Sequence, residues 1–459
     1  MKRELGWLAG VLVVTAATLA VAQTPLNQQQ ARPSPTWLTG GVIYQIQPRA
    51  FTPEGTLKAA QARLPRLAEL GVTIAYLCPI FVSDDDMDQA FWSPRQKKSG
   101  MNNPRNPYRM KDFYHVDPEY GTDQDLKDFV AAAHALKLRV MLDMVYLHCG
   151  PKAVFIESNP DFVKRSDDGK IKNAGWSFPG LNFASPALRE YLWKNMEMWV
   201  RDFGVDGFRC DVADQIPLDF WVEGRARLER IKPDVGMLAE GMRKEDQLKA
   251  FDLDYGWGRA FSQLEDGAAI RKLWTTRRDE RPCGGAKFAR FIDNHDIAND
   301  DYNNRLEKRW GTARVDAALV WLFTMDGVPF LYNGQEVADT ARHSIFGRAP
   351  IDWASGETET GKARFAFVQS LCALRKSEPA LTQGDLVWLD HDQPKAVSAF
   401  VRTVDGARVV SIINLTGEPV KVNVKGAEGA WKPLLSKGAV TDGACNFELA
   451  GRGYFVGKQ

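Results

Sequence analysis

The chain has 459 residues, 44% of them hydrophobic and 25% charged, which excludes an intrinsically disordered protein and leaves ample material for a core. Its 59 basic and 58 acidic residues give a net charge of +1, which does not indicate a nucleic-acid partner. This length fits one large domain and a smaller second one.

The first 22 residues have the pattern of a secretory signal peptide. Lys2 and Arg3 precede an uncharged apolar run over 7–21, and Ala20-Val21-Ala22 forms a small-x-small cleavage site. The run is shorter than the roughly 20 residues that a spanning helix needs, which favours cleavage over a retained anchor. We therefore expect a secreted or periplasmic protein without stable membrane insertion, whose mature chain begins with a polar linker over 23–36.

Beyond the linker, apolar strand-like runs alternate with amphipathic helical runs. The predicted strands cover 42–46, 73–78, 139–147, 205–211, 235–240, 288–294 and 328–332. The predicted helices cover 57–70, 123–138, 186–203, 315–325 and 363–375. Short hydrophobic strands that alternate with helices and show no apolar/polar alternation are typical of a parallel sheet covered on both sides. The pattern predicts an α/β fold, a (β/α)₈ TIM barrel over 37–380.

Two long polar segments, 81–107 and 150–182, interrupt this alternation. The second predicts a short loop-rich insertion at about 149–184, after the third strand, and long loops of this kind are usually functional. From Gly384 onward, short alternating strands such as 397–402 and 409–414 predict a C-terminal antiparallel β-sandwich domain over 384–459. Trp388 and Trp431 could stack on sugars there, although a purely structural domain is the favoured interpretation.

The six cysteines do not follow a metal-binding spacing, because no Cys-x-x-Cys pair occurs. Export would permit disulfides, and Cys78 and Cys149 could pair. The simpler interpretation is that they are small buried hydrophobic side chains.

Several carboxylates stand at the carboxyl ends of predicted strands: Asp143, Asp211, Glu240 and Asp296. Asp211 and Glu240 are 29 residues apart and Glu240 and Asp296 are 56 apart, close to one and two βα units of about 31 residues. One such aspartate often only caps the next helix. Several in register predict that the carboxylates converge on one face of the barrel.

Converging carboxylates without a Ser/His pair or a metal cluster favour glycosidic bond cleavage. One carboxylate attacks the anomeric carbon while a second, protonated one donates to the leaving oxygen. Arg209 lies two residues before Asp211, on the same face of a strand, and so favours an ionised Asp211. No cation precedes Glu240 in its strand, which suits a proton donor.

The motifs around these residues resemble those of the α-amylase family, glycoside hydrolase family 13. Gly207-Phe208-Arg209-Cys210-Asp211 matches the family's Gly-Phe-Arg-x-Asp region, and Phe291 to Asp296 matches its Phe-x-x-x-His-Asp region. Asp143 to His148 is similar to its Asp-x-x-x-Asn-His region. The resemblance covers about 43–375.

The resemblance implies that Asp211 is the nucleophile, Glu240 the acid/base, and Asp296 the third carboxylate, which holds sugar hydroxyls. The substrate-binding side chains that it implies are Arg209, His295, Asp143, His148, Tyr108 and Phe208.

The chain departs from the family pattern where calcium-dependent members place ligands. Leu147, Gly180 and Gln215 replace the usual Asn, Asp and His. Because calcium takes about 6–8 oxygen ligands, we expect no metal there, and no organic cofactor motif appears. The alternative, an ion held elsewhere by the run Asp84-Asp85-Asp86, is less favoured than a solvated loop.

The leading hypothesis is a retaining glycoside hydrolase that cleaves α-glucosidic bonds, α-1,4 first, of starch-like or maltooligosaccharide substrates through a covalent glycosyl-aspartate intermediate. An α-glucan transglycosylase would share that intermediate and stays open. A non-catalytic sugar-binding or assembly protein would be expected to lose part of the catalytic set, which this chain keeps.

Overall fold

A computed structural model describes residues 24–285, 287–300 and 305–459 of the chain. The predicted signal peptide over 1–22 therefore lies outside the described residues. Within the part that is described, no helix is long and apolar enough to cross a membrane.

The strands, in chain order, fall into a parallel set, one hairpin and a C-terminal antiparallel set. They are β1 (Ile43–Ile46), β2 (Ile74–Leu77), β3 (Phe81–Ser83), β4 (Met110–Val116), β5 (Arg139–Met144), β6 (Gly207–Cys210), β7 (Gly236–Ala239), β8 (Leu253–Tyr255), β9 (Phe288–Arg290), β10 (Val328–Tyr332), β11 (Asp385–Trp388), β12 (Val397–Val404), β13 (Ala407–Asn414), β14 (Val420–Asn423), β15 (Lys432–Thr441) and β16 (Asn446–Lys458).

The α-helices lie mainly between the parallel strands. They are α1 (Thr36–Thr39), α2 (Pro48–Phe51), α3 (Leu57–Gln61), α4 (Leu64–Leu70), α5 (Pro94–Lys98), α6 (Asp123–Ala135), α7 (Pro186–Phe203), α8 (Leu218–Ile231), α9 (Asp246–Lys249), α10 (Arg259–Gln263), α11 (Gly267–Asp279), α12 (His295–Asp300), α13 (Leu306–Trp310), α14 (Thr312–Thr324), α15 (Glu359–Ser377) and α16 (Pro379–Gln383). Short 3₁₀ turns lie at Leu26–Gln28, Gln89–Phe91, Pro160–Phe162, Gly175–Ser177, Ala213–Gln215, Gln335–Val337 and Trp353–Glu357.

Eight parallel strands close into a barrel in the order β1-β10-β9-β8-β7-β6-β5-β2, which confirms the predicted (β/α)₈ fold. One cluster of buried side chains fills the barrel interior, with Ile43, Met141, Leu238 and Phe330 among its members. A second, larger cluster joins the outer faces of the strands to the surrounding helices. Because both faces of these strands are buried, their sequences are mostly hydrophobic.

The predicted elements match the structure best where the hydrophobic pattern is long. Helix α7 has the predicted bounds, 186–203, and ends at Gly204 in the left-handed conformation (φ 73°). The predicted helix 57–70 is instead two helices, α3 and α4, because Pro65 lies in the first turn of α4 and cannot continue α3. The pattern missed β8, which has only three residues.

Part of the segment predicted as a linker packs on the barrel. Ala31 donates its backbone N–H to Cys283 O at 2.9 Å. The Arg32 guanidinium lies 2.6 Å from Glu229 and also forms an ion pair with the buried Asp252. Two anchoring carboxylates therefore fix this part of the chain.

The C-terminal strands form an antiparallel sheet with the order β11-β12-β13-β16-β14, and β15 pairs with β16. A separate hydrophobic cluster, which includes Val401, Ile412 and Phe455, lies on this sheet. The cysteines are free thiols in the structure, Cys78 and Cys149 both being buried. These two follow the interpretation as small buried side chains.

Candidate active site

Three of the four predicted carboxylates stand where the barrel strands end. Asp143 belongs to β5, Asp211 directly follows β6, and Glu240 directly follows β7. Backbone hydrogen bonds continue the sheet past these ends, from Asp211 N to Met144 O (2.9 Å) and from Glu240 N to Cys210 O (3.0 Å). The parallel ladder therefore positions the two catalytic candidates side by side.

Asp296 reaches the same face by a different route. Strand β9 ends at Arg290, four residues before the end of the predicted strand 288–294. His295 and Asp296 lie instead in the first turn of α12. Asn294 starts that turn, because its side-chain oxygen accepts the backbone N–H groups of Asp296 (3.0 Å) and Ile297 (2.9 Å).

The buried Arg209 guanidinium joins three of the carboxylates. Its Nη1 donates to Asp143 Oδ1 at 2.6 Å and to Asp211 Oδ1 at 2.7 Å. Its Nη2 lies 2.7 Å from Glu240 Oε2, but without the alignment of a hydrogen bond. One positive charge thus faces three acidic groups in a site that is almost closed to water, which favours retention of a proton among them.

Burial raises the pKa of Asp211 well above its usual range, although Arg209 opposes this shift. Burial also raises the pKa of Glu240, again against Arg209. The sequence predicted an ionised Asp211 because it assigned Arg209 to that residue alone. The structure differs because one guanidinium is shared among Asp143, Asp211 and Glu240.

Asp296 has the opposite electrostatic environment. Burial would raise its pKa, but His295 and Arg95 outweigh burial and lower the pKa below its usual value. Arg95 forms an ion pair with Asp296 Oδ1, and His295 Nε2 lies 3.5 Å from Oδ2. This carboxylate is therefore held in the ionised form, ready to accept hydrogen bonds.

Tyr108 and His295 form a fixed aromatic pair beside the carboxylates. Their rings stack at 5.2 Å with an interplanar angle of 9°. Tyr108 Oη lies 2.7 Å from His295 Nε2 and donates to Asp143 Oδ2 at 2.9 Å. Gln45 Nε2 lies 2.8 Å from His295 Nδ1, and Tyr76 Oη donates to the same Asp143 oxygen at 2.5 Å. This network fixes the orientation of His295.

His148 lies under two aromatic side chains of the insertion after β5. Its ring contacts Phe178 at 4.8 Å and Trp176 at 5.6 Å between centroids. Burial lowers the pKa of His148 to about 3. The imidazole is therefore neutral near pH 7 and can act only through hydrogen bonding there.

Phe208 is the candidate that the structure separates from the others. It is fully buried and belongs to the cluster between the barrel and its helices. Because side chains alternate along a strand, Phe208 faces away from the side on which Arg209 meets the carboxylates. It does not line the pocket, and the prediction that it contacts substrate does not agree with this position.

The pocket in front of the carboxylates has a volume of about 290 Å³. Residues of the predicted set line it together with side chains that sequence reasoning missed. Its walls include Ser93, Arg95, Asn106, Tyr108, His148, Trp176, Phe178, Asp211, Glu240, Trp257, His295, Asp296, Ile345 and Phe346. Arg95 and Trp176 come from the two long polar segments, and the length of those segments was the only sequence signal for them.

The resemblance implies three calcium-ligand positions in calcium-dependent members, 147, 180 and 215, which lie in the loops after β5 and β6. Leu147 is a buried apolar side chain, Gly180 has no side chain, and Gln215 is exposed. Within the described ranges, no group of three or more His, Cys, Asp or Glu side chains is arranged to hold a metal.

Comparison with known proteins adds independent information. A family model described as the α-amylase catalytic domain matches residues 27–174. A cyclomaltodextrinase from Bacillus sp is 27% identical over 83% of this chain and 73% of its own length. An intracellular maltogenic amylase from Bacillus subtilis is 24% identical over 83% of this chain and 69% of its own length.

A solved α-amylase from Lactobacillus plantarum superimposes with a TM-score of 0.76 and 26% identity, covering 92% of this chain and 100% of that one. Together with the barrel and the motif residues at its strand ends, these matches support the α-amylase family for this chain. It is an α-amylase-type glycoside hydrolase.

Proposed function

We propose that this chain hydrolyses α-glucosidic bonds, α-1,4 bonds first, in maltooligosaccharides and related short α-glucans with retention of anomeric configuration. The observation that carries the proposal is the buried Arg209, which contacts Asp143, Asp211 and Glu240 beside the pocket. The names of the relatives, cyclomaltodextrinase and maltogenic amylase, support the choice of short α-glucans.

In this proposal Asp211 attacks the anomeric carbon and Glu240 protonates the leaving oxygen. Asp211 accepts an aligned hydrogen bond from the charged Arg209, whereas Glu240 has an unaligned ion-pair contact with Nη2 and accepts only the neutral Val212 backbone N–H, at 3.0 Å. We therefore assign the shared proton to Glu240. After the leaving group departs, Glu240 as a base takes a proton from water, which attacks the glycosyl-Asp211 ester.

Asp296 accepts hydrogen bonds from sugar hydroxyls in this mechanism. Its ionised state suits that role, because a carboxylate has about four acceptor sites. Tyr108 supplies a flat face beside it, His295 supplies a hydrogen bond, and neutral His148 supplies one without adding charge.

The test uses the purified chain and maltoheptaose, with Asp211→Asn as the matched control. Chromatography and anomeric NMR follow the products over time. We expect α-anomers from the wild type and a loss of at least about 10³-fold in kcat for D211N. Early β-anomers would contradict retention, and equal turnover by both proteins would refute Asp211 as the nucleophile.

The same time course separates hydrolysis from glycosyl transfer, the alternative that shares the intermediate. Hydrolysis yields only products shorter than maltoheptaose. Early products longer than the substrate would instead assign the chain as a transglycosylase.

We further propose that the chain is exported and cleaved after Ala22. The apolar run 7–21 and the Ala-Val-Ala site support this. Mass spectrometry of the protein made by an exporting host should find a mature chain that begins at Gln23. A chain that keeps its first 22 residues and stays inside the cell would overturn the proposal.

A further inference from the structure

The segment 84–107, between β3 and β4, is tightly organised although it is rich in polar residues. The fully buried Arg109 stabilises this segment by donating hydrogen bonds to four of its backbone carbonyl oxygens. These are Phe91 O at 2.7 Å, Asp86 O and Pro104 O at 2.9 Å, and Asp84 O at 3.1 Å. Because a single planar guanidinium ties both ends of the segment together, the segment has a defined shape.

Helix α5 is the part of this segment that faces the pocket. Ser93 caps it by accepting the backbone N–H of Gln96 at 3.1 Å. The buried Gln96 side chain then donates to Asn103 O at 2.9 Å and to Pro104 O at 3.3 Å. The helix is thus fixed on its Gln96 side and presents the neighbouring side chain, Arg95, to the pocket.

The Arg95 guanidinium reaches from this helix to Asp296 Oδ1, 201 residues away in the chain. Its side chain is 40% exposed and lines the pocket together with Ser93. Asp296 is 21% exposed, and its other oxygen lies 3.5 Å from His295. Both side chains remain partly exposed to the pocket while they form the ion pair, so both can contact a bound sugar.

We propose that Arg95 and Asp296 act as one recognition unit for two neighbouring hydroxyls of the bound sugar, which makes Arg95 a specificity-determining residue. This inference rests on the proposed function. A hydroxyl is both a donor and an acceptor. Asp296 accepts the proton of one hydroxyl while an N–H of Arg95 donates to the oxygen of the same hydroxyl or of its neighbour.

The geometry favours this role over a contact that substrate must break. A guanidinium has five N–H donors and a carboxylate about four acceptor sites, and both side chains stay partly exposed at the pocket wall beside their ion pair. The rigid support from Arg109 and Gln96 keeps α5 in place when substrate enters. Charge-assisted hydrogen bonds to Arg95 would then add affinity and fix the ring against Asp296.

The experiment compares R95A, R95K and the control K97A on p-nitrophenyl α-glucoside. Lys97 belongs to the same helix, carries the same charge, is exposed and does not line the pocket. We expect kcat/KM to fall about 10- to 100-fold in R95A, the range for hydrogen bonds to charged groups, and less in R95K. K97A should keep the wild-type value, and all variants should melt at the wild-type temperature.

The same variants are then assayed on the 2-deoxy and 3-deoxy analogues of that substrate. If Arg95 acts through a hydroxyl, the loss caused by R95A shrinks at least threefold on one analogue. An equal loss on all three substrates, or wild-type kcat/KM in R95A, would overturn the inference. Wild-type protein that turns over none of these substrates, nor maltoheptaose, would instead count against the proposed function.

Discussion

At the residue scale, the backbone at Trp176 points to a binding role for its ring. Trp176 has φ 60° and the following Ser177 φ 68°, both in the left-handed region that non-glycine residues rarely adopt. Each such residue costs about 1 kcal/mol or more, and such strain is concentrated at functional sites. The Trp176 side chain is nevertheless 40% exposed at the pocket wall, where it covers His148.

We therefore expect W176G to separate stability from activity. Glycine adopts positive φ without strain, so the melting temperature of W176G should equal or exceed that of the wild type. The KM for maltoheptaose should rise up to about 10-fold, which is the effect expected from the loss of one aromatic contact. Thermal melts and initial rates measure both quantities.

W176A and W176F are the controls for this prediction. W176A removes the ring but keeps the strain, so it should have the raised KM without the gain in stability. W176F keeps an aromatic face and should remain close to the wild type in KM. A lower melting temperature in both W176G and W176A, with unchanged KM, would show that the ring is only structural.

The sequence could predict those site residues that the strand pattern itself positions. Asp143, Asp211 and Glu240 follow directly from the ends of buried strands, and Asp211 and Glu240 are 29 residues apart, close to one βα unit of about 31 residues. Arg95 could not be predicted in the same way, because its partner Asp296 is 201 residues away and only the folded segment 84–107 brings them together. The sequence pattern placed Phe208 in a motif but did not separate the two faces of its strand.

At the element scale, Asp206 connects several βα units at the start of β6. Its buried carboxylate lies 2.7 Å from both His134 Nε2 and Arg139 Nη1 and 3.2 Å from Lys232 Nζ. It also accepts the Val140 backbone N–H at 2.8 Å. Burial alone would raise its pKa, but the contacts with His134, Val140 and Arg139 outweigh burial and lower the pKa to about 2.

This lowered pKa predicts a pH-dependent contribution to stability. The folded pKa lies below the unfolded value of about 3.9, so the contribution is complete above about pH 4 and is lost as the pH falls towards 2. We expect D206N to lower the free energy of unfolding by about 2 kcal/mol at pH 7. The difference from the wild type should shrink between about pH 4 and pH 2.

Urea unfolding at several pH values measures this difference. D202N is the matched control, because Asp202 pairs with the neighbouring Arg201 at an exposed position where ion pairs contribute little. If the difference in unfolding free energy between D206N and the wild type stays constant from pH 7 to pH 2, the pH dependence does not come from Asp206.

The loops after β5 and β6 also carry a prediction about calcium. Leu147 and Gly180 lie together, since Leu181 N donates to Leu147 O at 3.1 Å, but neither supplies a side-chain oxygen. We expect dialysis against EDTA to leave the melting temperature and kcat unchanged, within error. A drop in both that added calcium reverses would show that other oxygens bind the ion.

The sequence predicted the longer elements better than the short ones, for a physical reason. Helix α7 and strand β10 have the predicted bounds because each has a continuous buried pattern between clear end signals. Strand β8 is three residues long, too short for a periodic pattern to define it. The conformations of 84–107 and 150–182 depend on tertiary contacts, such as the bond from Lys152 N to Asp84 Oδ2 at 2.7 Å, which couples the two segments.

At the scale of the whole molecule, a buried arginine joins the barrel to the C-terminal sheet. Arg402, in β12, donates to Thr324 O at 3.2 Å and to Met325 O at 2.8 Å, at the end of the barrel helix α14. It also donates to Gly384 O at 2.8 Å, where the C-terminal strands begin. Burial lowers the pKa of Arg402 to about 10, so it remains charged near pH 7. The two parts of the chain thus share one polar centre.

We expect this centre to make the two parts unfold together. R402M would leave three buried carbonyl oxygens without a donor, at about 1–3 kcal/mol each. The unfolding midpoint in urea should therefore fall, and the C-terminal sheet should separate as an earlier transition. Hydrogen exchange of the β12, β13 and β16 backbone amides reports the sheet, and far-ultraviolet circular dichroism reports the barrel helices. R408M is the control, since Arg408 contacts Gln459 and Trp431 within the sheet. Equal shifts in R402M and R408M, with a single transition in both, would mean that apolar packing and not Arg402 couples the two parts.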